Sequence, residues 1–93
     1  MDEAPKEDIA TRRKRLLYQS AHRGTKESDL LLGAFAAAHL GAFTADQLAR
    51  YEALLGENDG DLFDWMTGRC APPPEKMNDV VQLLLSFRYP GVG

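Results

Sequence analysis

Turn-forming residues recur before any apolar stretch in this chain can grow long. Gly24, Gly41, Gly56 and Gly68, followed by Pro72, Pro73 and Pro74, cut it into short segments. Within each segment the apolar residues fall at helical spacing, and no stretch sustains the period-2 alternation of a half-buried strand. The β-branched residues that favour strands are few: Ile9, four threonines and three valines. Short helices cannot bury their apolar faces alone, so the pattern implies an all-α, compact five-helix bundle around a shared core. Residues 1–93 read as a single domain, because too little chain remains for a second core, with 1–7 and 90–93 as flexible tails.

The helix boundaries follow from local chemistry. A first helix is expected from about Asp8 to His22, with Ile9, Leu16 and Leu17 near one face and the basic residues on the other. Gly24 stands where a left-handed residue would end it, and Thr25 can cap a second helix reaching His39. That helix is expected to bury Leu31, Ala34, Phe35 and Ala38, supported by Leu30. Thr44-Ala45-Asp46-Gln47 is a capping box, with Phe43 and Leu48 at the spacing of a hydrophobic staple. A fourth helix from about Asp59 to Gly68 is expected to bury Leu62, Phe63, Trp65 and Met66. Pro74 is placed to open the last one, which runs through Met77, Val80, Val81 and Leu84.

Composition excludes more than it identifies. The hydrophobic fraction of 44%, the charged fraction of 27% and the net charge of −3 are those of an ordinary globular domain. No apolar run is long enough to span a bilayer, so membrane insertion is not expected. A single cysteine, Cys70, cannot form an internal disulfide, and no Cys/His spacing suits a metal. His22 and His39 lie on different helices without a nucleophile beside them, so no catalytic residues are expected and the protein reads as a non-enzyme. The glycines form no phosphate cradle after a strand, so no cofactor of its own is expected either. Arg12-Arg13 is followed by an apolar stretch too short for a secretion signal, and Asp2, Glu3, Glu7 and Asp8 are foreign to a mitochondrial transit peptide. A bacterial cytoplasmic protein is the expectation.

Two segments remain as candidate sites. Between Arg12 and Lys26 there are six cations and no acid, whereas acids outnumber bases from Glu27 onward. Arg12, Arg13 and Arg15 could steer an acidic partner, which mainly raises association rate. A nucleic-acid-binding or antitoxin-like regulatory protein using this basic helix is the alternative reading, although the acidic remainder makes nucleic acid an unlikely ligand. The second segment, Arg23-Gly24-Thr25-Lys26-Glu27-Ser28-Asp29, satisfies two readings at once. It is an ordinary helix–helix corner, and it is also a rigid turn offering an arginine fork and two carboxylates around a bare glycine.

The second segment also carries a resemblance. Arg-Gly-x-x-Glu-x-Asp at a first helix–helix turn is similar to the SdhE-type FAD assembly (flavinylation) factors of succinate dehydrogenase. Phe35, six residues after Asp29, matches the family's aromatic, and Asp59-Gly60-Asp61-Leu62-Phe63-Asp64-Trp65 resembles its acidic segment. Arg15-Leu16-Leu17-Tyr18-Gln19-Ser20 resembles its first helix, while His22 stands where many members have a second arginine. The resemblance, covering about Arg12 to Phe87, implies an assembly factor that binds the flavoprotein subunit of succinate dehydrogenase, and often that of fumarate reductase. It implies that such a factor promotes covalent attachment of FAD to a histidine of the client. Arg23, Gly24, Glu27 and Asp29 would form the partner-binding corner, Asp29 serving either as contact or as helix-dipole partner.

Overall fold

The computed structural model describes residues 7–88. Its α-helices are α1 (Ile9–Ala21), α2 (Lys26–His39), α3 (Ala45–Leu54), α4 (Asp59–Thr67) and α5 (Asp79–Ser86). Short 3-10 turns, Leu40–Ala42 and Pro74–Lys76, follow α2 and precede α5, and no strand occurs among the described residues. The all-α five-helix architecture is therefore as expected. Most of the expected tails, residues 1–6 and 90–93, lie outside the described residues, but Glu7 is described and paired with Arg15.

Every α-helix starts on a side chain that accepts a backbone N–H, which satisfies one of the donors a helix N-terminus leaves over. Asp8 accepts from Thr11 at 2.8 Å, Thr25 from Ser28 at 3.3 Å, Asn58 from Asp61 at 2.8 Å and Asn78 from Val81 at 2.9 Å. At α3 the capping box is complete: Gln47 N–H donates to Thr44 Oγ1, and Thr44 N–H donates to Gln47 Oε1. Thr44→Ala should lower stability by about 1 kcal/mol, a fall of roughly 4–8 °C in Tm for a domain this small. A thermal melt followed by circular dichroism reads that shift directly.

The core joins Leu16 of α1, Leu32, Phe35 and Ala36 of α2, Leu48, Tyr51 and Leu54 of α3, Leu62, Trp65 and Met66 of α4, and Val80, Val81 and Leu84 of α5. The α1–α2 pair is the most extensive packing, with α3 on α5 and α4 set against α2 and α5. Ser20 is buried with its hydroxyl donating to the Leu16 carbonyl at 2.7 Å, so Tyr51 must donate to Ser20 Oγ at 2.5 Å. Burial pushes the Tyr51 phenol up to about 12, which keeps it a donor across the whole working pH range.

Three expectations are corrected. Helix α2 buries Ser28, Leu32, Phe35 and Ala36, while Leu30 and Ala38 are exposed. Residues 30–38 are apolar almost all round, so their periodicity does not select a face. Helix α1 packs closely along it, and a Cβ added at Gly33 would lie in van der Waals contact, 3.4 Å from the Ala21 Cβ. Pro74 opens a 3-10 turn rather than α5, and Met77 is left exposed. Phe63 is only partly buried.

Candidate functional site

The corner between α1 and α2 is built from the motif's own residues. Gly24 has φ +112°, a conformation L side chains rarely adopt, and nothing lies within 4 Å of where its Cβ would be. Asp29, one turn into α2, folds back so that its Oδ1 accepts the backbone N–H of Arg23 at 2.5 Å and of Gly24 at 3.2 Å. Asp29 is thus a turn-closing residue in addition to a favourable charge at the helix start.

Arg23 is directed inward. Its Nε donates to Asp59 Oδ1 at 2.7 Å, Nη1 to the Leu55 carbonyl at 2.7 Å and Nη2 to the Glu57 carbonyl at 2.8 Å. With its side chain 14% exposed, Arg23 is a strut between the corner and the α3–α4 loop, not the free fork expected of it. The corner's exposed residues are Gly24, Thr25, Lys26 and Glu27, and the Glu27 carboxylate has no hydrogen-bond partner among the described residues. Beside the corner opens a groove of about 590 Å³, lined by Gln19, His22 and Arg23 on one side and Glu52, Leu55, Gly56, Asn58 and Asp59 on the other. At its rim His22 stacks on Tyr18, with ring centroids 3.9 Å apart.

Asp59 and the two carbonyls are the residues sequence reasoning missed. Asp59 is the first residue of α4 and not its cap, a role that Asn58 takes. The available signal was a pair of opposite charges in two separated motifs, Arg23 and Asp59, but Arg23 also had Glu27 and Asp29 close by in sequence as competing partners.

The arginines of the basic run, though partly exposed, are likewise paired within the molecule rather than left as a free steering surface. Arg12 donates to Glu52 at 2.9 and 3.1 Å, and Arg13 donates to the Leu40 and Phe43 carbonyls, both at 2.9 Å. Arg15 binds Glu7 at 2.8 and 2.9 Å and also Glu52. The Arg15 and Arg12 guanidinium groups hold the Glu52 carboxyl below its ordinary 4.5. A carboxyl depressed in the folded state stabilises the fold above its unfolded pKa and loses that contribution as pH falls through the folded value. Stability is therefore expected to drop with acidification below pH 4.5, and Glu52→Gln should flatten that acid limb. Urea midpoints between pH 3 and 7 for both proteins measure it. Equal slopes would remove the role given to Glu52.

Comparison with known proteins places this architecture. A family model described as the flavinator of succinate dehydrogenase matches residues 14–88. The chain belongs to this family. It is 48% identical over 82 residues to succinate dehydrogenase assembly factor 2-A, mitochondrial, of Drosophila ananassae. It is 45% identical over 82 residues to succinate dehydrogenase assembly factor 2-B, mitochondrial, of Drosophila melanogaster. Each alignment covers 86% of this chain and 53% of the relative, so the chain spans about half the length of the curated relatives it matches. The family match takes in the corner and the Asp59–Trp65 segment but leaves out Arg12 and Arg13.

The expected bacterial cytoplasmic setting is corrected by these relatives, which are named as mitochondrial proteins of Drosophila. The acids at 2, 3, 7 and 8 argue only that those residues are not themselves a transit peptide, and say nothing of where the folded domain works. Among the described residues no helix is long and apolar enough to cross a membrane, and no three His, Cys, Asp or Glu side chains converge as metal ligands.

Proposed function

We propose that this protein is a succinate dehydrogenase assembly factor that binds the enzyme's flavoprotein subunit and promotes covalent attachment of FAD to it. The observation that carries this reading is the corner: Gly24 is bare and held at positive φ, beside an open groove, within a family named for flavinating succinate dehydrogenase. A bare glycine on a braced turn lets another protein's backbone approach closely, and Glu27 next to it can accept directional hydrogen bonds. FAD and the acceptor histidine belong to the client, and the factor contributes no cofactor and no catalytic group. Its contribution is orientation: holding the client so that flavin and histidine stay in reactive geometry, an effect worth on the order of 7 kcal/mol for ideally aligned groups. The flavoprotein of fumarate reductase is a second client for the same surface.

The alternative through the basic helix is not favoured, since Arg12, Arg13 and Arg15 already bond Glu52, Glu7 and main-chain carbonyls. Phosphate binding would have to break those pairs.

The test is in-gel flavin fluorescence of the succinate dehydrogenase flavoprotein from cells lacking the factor, complemented with this protein or with Glu27→Ala. The wild type is expected to restore the fluorescent band, and Glu27→Ala to leave it weakened at unchanged factor level. A band that stays dark with the wild type overturns the function; a full band with Glu27→Ala removes Glu27 from the surface.

A further inference from the structure

We infer that Asp59 is a positioning residue: by holding the Arg23 guanidinium it fixes the exposed Gly24–Glu27 turn in the shape a partner meets. The inference rests on the reading of the corner as a docking surface. It makes the two separated motifs, Arg23-Gly24-x-x-Glu27 and Asp59-Gly60-Asp61, one unit in which the second acts through the first.

The connection is direct. Arg23 is bonded covalently to Gly24, and both backbone N–H groups are held by Asp29, so the turn is fixed from the α2 side. From the other side, among the described residues, the hydrogen bonds that fix it run through the Arg23 side chain, which reaches Asp59 and the Leu55 and Glu57 carbonyls. The carbonyls lie past the last turn of α3, where acceptors lack intrahelical donors, and they serve equally well as acceptors from water. Asp59 is the one charged acceptor of the three. Its pairing with a side chain 14% exposed, itself 26% exposed, is of the charge-assisted, partly desolvated kind that is stronger than a surface ion pair. Helix α4 does not need Asp59 for its start, because Asn58 caps it and Asp61 places another carboxylate in the same turn.

Two measurements test the inference on the full chain. Amide hydrogen exchange at Arg23 and Gly24 is compared in wild type, Asp59→Ala, Asp59→Asn and Asp61→Ala. Capture of the purified flavoprotein subunit is compared for the same set, with Arg23→Ala and the Arg23→Ala/Asp59→Ala double variant added. Asp59→Ala is expected to speed exchange at both amides and to weaken capture, each by about 10-fold, the worth of a charge-assisted hydrogen bond. Asp59→Asn, which keeps an oxygen but no charge, should fall between, and Asp61→Ala should match wild type. The double variant should bind no worse than Arg23→Ala, because the residues act through one contact. Unchanged exchange in Asp59→Ala overturns the inference. So do losses that add in the double variant, since Asp59 would then touch the partner itself. If wild type captures no flavoprotein, the docking reading falls, while exchange still decides whether Asp59 holds the turn.

Discussion

Gly24→Arg is expected to yield a folded helical protein that no longer captures the flavoprotein subunit. Two effects are combined in that substitution and the structure separates them. The backbone at Gly24 has φ +112°, so any L side chain there is strained, at a cost of about 1–3 kcal/mol. Space is not the difficulty, because a Cβ at Gly24 would meet nothing within 4 Å. Gly24→Ala should therefore lose the same stability as Gly24→Arg, and both should stay folded on a domain whose total stability is about 5–15 kcal/mol. They should differ in binding. A methyl group leaves room for a partner's backbone, whereas an arginine on an exposed turn fills the approach and puts a cation beside Lys26. Blocking a central contact of this kind typically costs 2 kcal/mol or more, so capture by Gly24→Arg should fall about 30-fold or more below that of Gly24→Ala. Thermal melts and a binding titration on the same preparations measure both quantities. Equal affinities for the two variants would remove Gly24 from the docking surface and leave it a turn residue alone.

What the sequence discloses and what it conceals divide along one physical line. Features decided within a few residues were legible: the capping box at Thr44 with Phe43 and Leu48 buried on either side of it, the left-handed Gly24 and the stop at Gly68. Each depends on hydrogen bonds or sterics along one turn of chain. The destinations of long side chains were not legible. Arg23 finds its partners 32 to 36 residues away, Arg13 binds carbonyls 27 and 30 residues away, and Arg12 meets Glu52 after 40. A flexible cation can take any acceptor the fold brings near, so a basic run reads as a solvated face until the fold is known. The resemblance located the corner without revealing which of its residues face outward. Arg23, the motif's most conspicuous charge, proves to be its internal brace, and the exposed chemistry lies at Gly24 and Glu27.

The rotation of α2 is the other concealed feature, and it carries the largest expected loss of stability. Phe35 is fully buried, with ring centroids 4.6 Å from His39, 5.6 Å from Tyr51 and Phe87, and 6.4 Å from Phe43. Phe35→Ala should cost about 3–5 kcal/mol, the lost burial of the ring plus the cavity left among the rings around it. At 4–8 °C per kcal/mol that is a Tm lower by roughly 12–40 °C, and the loss is a large share of the stability a domain of this size possesses. Phe35 alone does not test the rotation, because it lies on the expected face as well as the observed one. Leu32 and Leu30 do. Leu32 is 1% exposed and Leu30 47% exposed, so Leu32→Ala should cost about 2–5 kcal/mol while Leu30→Ala stays within about 0.5 kcal/mol. Urea unfolding of the three variants decides the matter. Comparable losses at positions 30 and 32 would mean that α2 turns another face to the core. Thr25, Glu27 and Asp29, carried on its first turn, would then point elsewhere, and the corner described at Gly24 would have to be rebuilt.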